Sequence, residues 1–156
     1  MISVSADLVS SPTSNAGSST GEKPGDQPRT DEPPRILMAE DNLINQRVGK
    51  LILQRAGFAI DLVADGSEAV EAHRANPYDL ILMDCQMPIM DGFEASRQIR
   101  LLEQPQPTII AVTANALVGE RERCLGAGMD DYLSKPFQAE QLVGIVKKWA
   151  AIRRGA

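Results

Sequence analysis

From Arg35 onward the apolar positions change period repeatedly, alternating short continuous runs with helical spacing. Ile36 to Ala39 is a continuous apolar run and reads as a strand. Asn42 can cap a helix whose Ile44, Val48, Leu51 and Ile52 fall on one face, and Gly57 ends it. Ala59 to Ala64 is the second strand; Asp65, with Glu68 three positions on, has capping-box spacing and opens the next helix. Leu80 to Met83 is the third strand, followed by a turn at Pro88 and Asp91-Gly92. Asp91 and Glu94 repeat the capping signal, and Ala95, Ile99 and Leu102 line a face. Ile109 to Val112 is the fourth strand, with a helix from about Ala116 to Gly126 or Gly128. Tyr132 to Ser134 is the fifth strand, and the last helix carries Leu142, Ile145, Val146 and Trp149 as its inner stripe.

Apolar strands that alternate with helices predict an α/β fold, a doubly wound parallel sheet covered on both faces. In such sheets chemistry gathers beyond the carboxyl ends of the strands, at the switch point in strand order. The residues predicted there are Glu40-Asp41, Asp84, Thr113 and Lys135. An acid pair, a lone carboxylate, a hydroxyl and an ammonium at one sheet edge suit a Mg²⁺-assisted phosphoryl acceptor. Mg²⁺ takes oxygen ligands, few of them from protein, and a carboxylate can hold a transferred group covalently.

Residues 1–34 are different in composition: Ser, Thr, Pro and Gly dominate, and no aromatic occurs. Such a segment buries too little apolar surface to offset chain entropy, so it is expected to be a disordered tail or an inter-domain linker. The domain is expected over 35–151, with a C-terminal tail at 152–156. A net charge of −5 without a basic stripe excludes nucleic acid as a direct partner. Glu120, Arg121, Glu122 and Arg123 interleave as a solvated helix face. Cys85 and Cys124 form neither a disulfide framework nor a metal motif and read as reduced packing thiols. No apolar stretch has the length of a membrane span, and the N-terminus is not a secretory signal, so no direct membrane contact is expected. His73, the single histidine, reads as a surface residue.

The segment Asp84 to Gly92, DCQMPIMDG, joins Glu40-Asp41, Thr113-Ala114 and GMDDYLSKP from Gly128 to Pro136 in one register. Together they resemble the response-regulator receiver domain of two-component signalling. The wording TANAL at Thr113 to Leu117 and KKW near the end is most similar to receivers of hybrid histidine kinases. The resemblance implies a flavodoxin-like five-stranded sheet of order 2-1-3-4-5. It implies a non-enzyme signalling domain that takes a phosphoryl group on Asp84 in a His-to-Asp phosphorelay. Mg²⁺ would be held by Asp41, Asp84 and the main-chain carbonyl of Gln86, with Glu40 acting mainly through water. Lys135 would meet the phosphoryl oxygens, Pro136 would follow a cis peptide, and Thr113 with Tyr132 would form the switch. Ala114 would leave room for a donor, while Gln86 and Asn115 would tune hydrolysis. The expected partner is a histidine kinase or histidine phosphotransfer protein, docked on Asn45, Gln46, Gly49 and Phe137, in the cytoplasm. Gln138 departs from the Asp common there and caps poorly.

A haloacid-dehalogenase-type hydrolase uses a similar residue set. It needs a second Asp two positions after the nucleophile, where this chain has Gln86, and it places the nucleophile on the first strand. A degenerate receiver that only binds partners is opposed by the complete residue set.

Overall fold

The computed structural model describes residues 33–114 and 118–155. The expectation of disorder before Pro33 therefore lies outside the described residues, as does Asn115. Among the described residues, five strands alternate with five helices: β1 Ile36–Ala39, α1 Leu43–Arg55, β2 Ile60–Val63, α2 Gly66–Ala75, β3 Leu80–Asp84, α3 Gly92–Leu101, β4 Thr108–Thr113, α4 Glu120–Gly126, β5 Asp131–Ser134 and α5 Ala139–Gly155. All strand pairs are parallel and the sheet order is β2-β1-β3-β4-β5. Order reverses between β1 and β3, which opens a crevice at their carboxyl ends.

Each strand sends successive side chains to opposite faces, so two cores form. One holds Leu37, Ile81, Met83, Ile109 and Ala111 against Val70, Phe93, Ile99 and Cys124 of α2, α3 and α4. The other holds Ile36, Met38, Leu80, Leu82, Ile110 and Val112 against Leu53 of α1 and Leu142 and Val146 of α5. The expected caps are present. Asn42 accepts from the Ile44 and Asn45 N–H groups, Asp65 from Glu68 and Asp91 from Glu94. Gly57, at φ 96°, ends α1, with the Phe58 N–H reaching back to Leu53 O.

Three expectations need correction. First, the apolar face assigned to α1 mostly points outward: Ile44, Val48 and Leu51 are exposed, and the inward residues are Gln46, Gly49 and Leu53. The phase is set by polar and steric contacts. Gln46 Nε2 donates to Glu40 O at 2.6 Å, and Gly49 lies so close to the sheet that a Cβ would fall 2.5 Å from Met38 Cε. Second, α5 runs to Gly155, past the expected boundary at Ala151. Arg153 ties this last turn to Gln106 O and Thr108 Oγ1, so residues 152–155 are helix rather than tail. Third, His73 is completely buried. Its Nδ1 accepts from the Tyr78 N–H at 3.0 Å and its Nε2 meets Pro105 O at 3.2 Å, which pins the end of α2 to the loops that follow.

Candidate functional site

The carboxyl ends of β1, β3, β4 and β5 bring Glu40, Asp84, Thr113 and Lys135 to one edge of the sheet. Asp84 closes β3, whose five residues LILMD are all buried. A run buried on both faces leaves its final side chain no direction but the crevice mouth. The loop after it is anchored by Gly92 N–H to Cys85 O at 3.1 Å, and there is no room for a side chain at Gly92 against the Asp84 carbonyl. Ile89 in this loop takes a left-handed φ of 70°, an uncommon conformation for a β-branched residue.

Lys135 reaches across the edge. Its Nζ lies 3.0 Å from Glu40 Oε1 and 3.1 Å from Asp84 Oδ2. The Lys135-Pro136 peptide is cis, as expected. Asp84 Oδ1 accepts from the Gln86 main-chain N–H at 3.1 Å. Glu40 Oε2 accepts from Asn42 N at 3.1 Å and from Asn45 Nδ2 at 3.4 Å. Both Glu40 oxygens thus have protein donors, whereas Asp41 is exposed. Burial works against the charged form of each acid. In Glu40 the Lys135 and Asn42 hydrogen bonds outweigh burial and hold its pKa below 4.5. In Asp84 burial wins, helped by the Glu40 charge, over the opposing Gln86 N–H and Lys135, and its pKa is raised above 3.8. Burial disfavours the Lys135 ammonium, but its bonds to Glu40 and the Asp84 charge more than compensate, and its pKa rises above 10.5.

Oxygen atoms of Glu40, Asp41 and Asp84 lie within 4.8 Å of one another. An all-oxygen cluster of three acids, already bridged by an ammonium, fits a hard divalent cation. Thr113 is buried and its hydroxyl donates to Glu120 Oε2 at 3.1 Å. Tyr132 is half-buried against the α2–α4 core. A groove of about 330 Å³ adjoins the cluster, lined by Met38, Glu40, Asn45, Val48, Ala114, Lys135, Pro136 and Phe137.

Two of the four residues expected to dock a partner are not exposed. Gln46 and Gly49 are buried under α1 for the reasons given above, while Asn45 and Phe137 border the groove. Sequence reasoning also missed Glu120. Its place among alternating charges suggested a solvated face, yet it is 8% exposed. The one available signal was its spacing of seven from Thr113. Cys85 and Cys124 are both free and buried, as expected of packing thiols. Among the described residues no helix is long and apolar enough to cross a membrane.

The family model described as response regulator receiver domain matches residues 36–147. Hybrid signal transduction histidine kinase B of Dictyostelium discoideum is 41% identical over 127 residues, 73% of this chain and 6% of that protein. Sensor protein GacS of Pseudomonas syringae is 39% identical, over 80% of this chain and 14% of its own length. The chain thus spans a small part of these curated relatives. Among solved structures, the receiver domain of the sensor histidine kinase PA1611 of Pseudomonas aeruginosa, with a magnesium ion in its active-site cleft, shares 47% identity at a TM-score of 0.71. That match covers 77% of this chain and 99% of the other. The receiver domain of Ssk1 of Saccharomyces cerevisiae, crystallised with the histidine phosphotransfer protein Ypd1, gives 29% identity and a TM-score of 0.73 over 78% of this chain and 92% of its own. Strand order, the site at the switch point and a family match over most of the chain agree: this chain belongs to the response-regulator receiver domains of two-component and phosphorelay signalling.

Proposed function

We propose that this domain accepts a phosphoryl group on Asp84 from the phosphohistidine of a histidine kinase or histidine phosphotransfer protein. The observation that carries the reading is the bridge from Lys135 to both Glu40 and Asp84, at 3.0 and 3.1 Å, at the carboxyl edge of the sheet. It holds the nucleophile ready and pairs a desolvated carboxylate with a movable cation.

In the transfer an Asp84 carboxylate oxygen forms the new bond to phosphorus as the phosphorus–nitrogen bond of the donor imidazole breaks. Lys135 moves from the carboxylate to a phosphoryl oxygen. Asp41, Asp84 and the Gln86 carbonyl would hold Mg²⁺ directly, with Glu40, already engaged by Lys135, Asn42 and Asn45, contributing through water. The ion supplies charge neutralisation among the acids and the incoming oxygens. Thr113 then gives its hydroxyl to the phosphoryl group and Tyr132 packs inward behind it, biasing a two-state element. The role is that of a signalling domain rather than a turnover enzyme, and the two free thiols suit a cytoplasmic location.

Incubation of the full chain with Mg²⁺ and acetyl phosphate should add one phosphoryl group, absent in Asp84→Asn. Undiminished labelling of that variant would sink the assignment. The donor's carrier docks on the outward apolar row of α1, Ile44, Val48 and Leu51, beside the groove and Phe137. Val48→Glu should impair transfer from a phosphohistidine protein and spare acetyl phosphate labelling; equal loss with both donors would reject this docking face.

A further inference from the structure

Glu120 is the first residue of α4, and its carboxylate points inward. Its Oε2 accepts the Thr113 hydroxyl at 3.1 Å, and Thr113 is itself only 2% exposed. The other neighbours are the Cys85 and Cys124 thiols: ligand atoms of Cys85, Glu120 and Cys124 all lie within 4.8 Å of one another. Thiols are weak donors. Among the described residues, the hydroxyl is therefore the strongest hydrogen-bond donor this buried carboxylate meets, and a buried carboxylate is costly without one.

We infer that Glu120 is a positioning residue that latches the switch, holding the Thr113 hydroxyl away from Asp84 until a phosphoryl group arrives. The inference rests on the reading of Thr113 as the switch hydroxyl. A hydroxyl has one proton and gives it to one acceptor at a time. When Thr113 donates to the phosphoryl group, Glu120 is left facing two thiols. Among the described residues no other good donor is within its reach, so it turns to water, and the first turn of α4 must move with it. One proton, contested by two acceptors, thereby links chemistry at the end of β3 to the position of α4. The linkage is reciprocal: whatever strengthens the hold of Glu120 on Thr113 weakens the domain's affinity for a phosphoryl group, and the reverse.

The test measures binding of fluoroberyllate, a phosphoryl mimic, to the full chain in Mg²⁺, together with α4 amide NMR signals of the protein without the mimic. Thr113→Val removes the hydroxyl's bond from both states, so fluoroberyllate should bind it without shifting the α4 signals. Glu120→Ala should tighten binding, on the order of tenfold, since one hydrogen bond to a charged group no longer favours the resting state. Glu120→Gln keeps an acceptor without the charge and should tighten it by roughly threefold; it also serves if the alanine variant folds poorly. Without the mimic, both Glu120 variants should shift the α4 signals toward their fluoroberyllate-bound positions, which generic damage would not do. In a Thr113→Val background the Glu120 effect should vanish. If fluoroberyllate shifts the α4 signals of Thr113→Val as it does those of wild type, the switch reading fails and the latch falls with it. If the α4 signals of Thr113→Val stay unshifted by fluoroberyllate but the Glu120 variants bind like wild type, or act equally in both backgrounds, the latch alone is overturned.

Discussion

His73 is the single histidine of the chain, so its protonation can be read in isolation. Pro105 O can only accept, so Nε2 carries the hydrogen, and Nδ1 accepts from the Tyr78 N–H. A second proton, on Nδ1, would set two N–H groups against each other. Burial is the leading cause of a pKa below 6.5; the Pro105 contact opposes it and the charges of Arg100, Arg35 and Arg153 add to it. The folded value lies below the unfolded one, so this stability is present above 6.5 and is lost as pH falls from there through the folded pKa. His73→Leu removes the acceptor of the buried Tyr78 N–H, which costs about 1–3 kcal/mol. Pro105 is exposed and its carbonyl can turn to water, so it adds little. Against a total of roughly 5–15 kcal/mol the loss should lower the urea midpoint without changing the m-value. Urea unfolding of both proteins at about pH 7.5 and about pH 5.5 brackets the ordinary histidine range. Wild type should lose stability at the lower pH and the variant should lose less, so the gap narrows. Titrating acids such as Asp84 contribute to both proteins and cancel in the difference. A gap of equal size at both pH values would refute the buried neutral imidazole.

Other outcomes follow from the same contacts. Gly92→Ala places a Cβ against the Asp84 carbonyl and 2.9 Å from Met83 Cγ; it should destabilise by about 1–3 kcal/mol and slow acetyl phosphate labelling. Gly144→Ala meets nothing within 4 Å on α5 and should stabilise by up to about 1 kcal/mol in the same urea assay. In metal-free protein, NMR titration of side-chain carboxyls should find Asp84 protonating above 3.8 and Glu40 below 4.5, with both shifted upward in Lys135→Met; Asp84 protonating below 3.8, or Glu40 above 4.5, would contradict the site electrostatics. A chain starting at Pro34 should keep its fold and labelling, because the preceding segment has no aromatic residue and little to bury.

The strands and the site they carry were legible because buried runs such as LILMD have one reading, and reactive types stand at their carboxyl ends. The caps at Asn42, Asp65 and Asp91 were legible for the same local reason. Strand order came only through the family resemblance, since periodicity carries no information about neighbours. The face of α1 was misread because hydrophobicity was taken to decide which side packs. Gln46 and Gly49 decide it instead, one through a carbonyl contact and the other by having no side chain. His73 and Glu120 were misread in the same way: each is polar, and each is buried because a partner distant in sequence or across a loop satisfies it. Pairwise satisfaction of this kind leaves no trace in the periodicity of either segment.

The sheet also acts as a partition. Met38, Leu82 and Val112 belong to one core, Met83, Ala111 and Cys124 to the other, and the two clusters have no side chain in common. The α1–α5 layer carries the row proposed to dock a donor, and the α2–α4 layer carries Glu120, with Tyr132 of β5 packed against its core. Substitutions without shared partners act nearly independently. If donor docking and the Glu120 latch lie where proposed, exchanges on the first layer should change which donor is accepted without repacking the second, and exchanges on the second should change how firmly the resting state is held without altering donor choice. Pairing specificity and responsiveness become separately adjustable, with the β3 aspartate common to both.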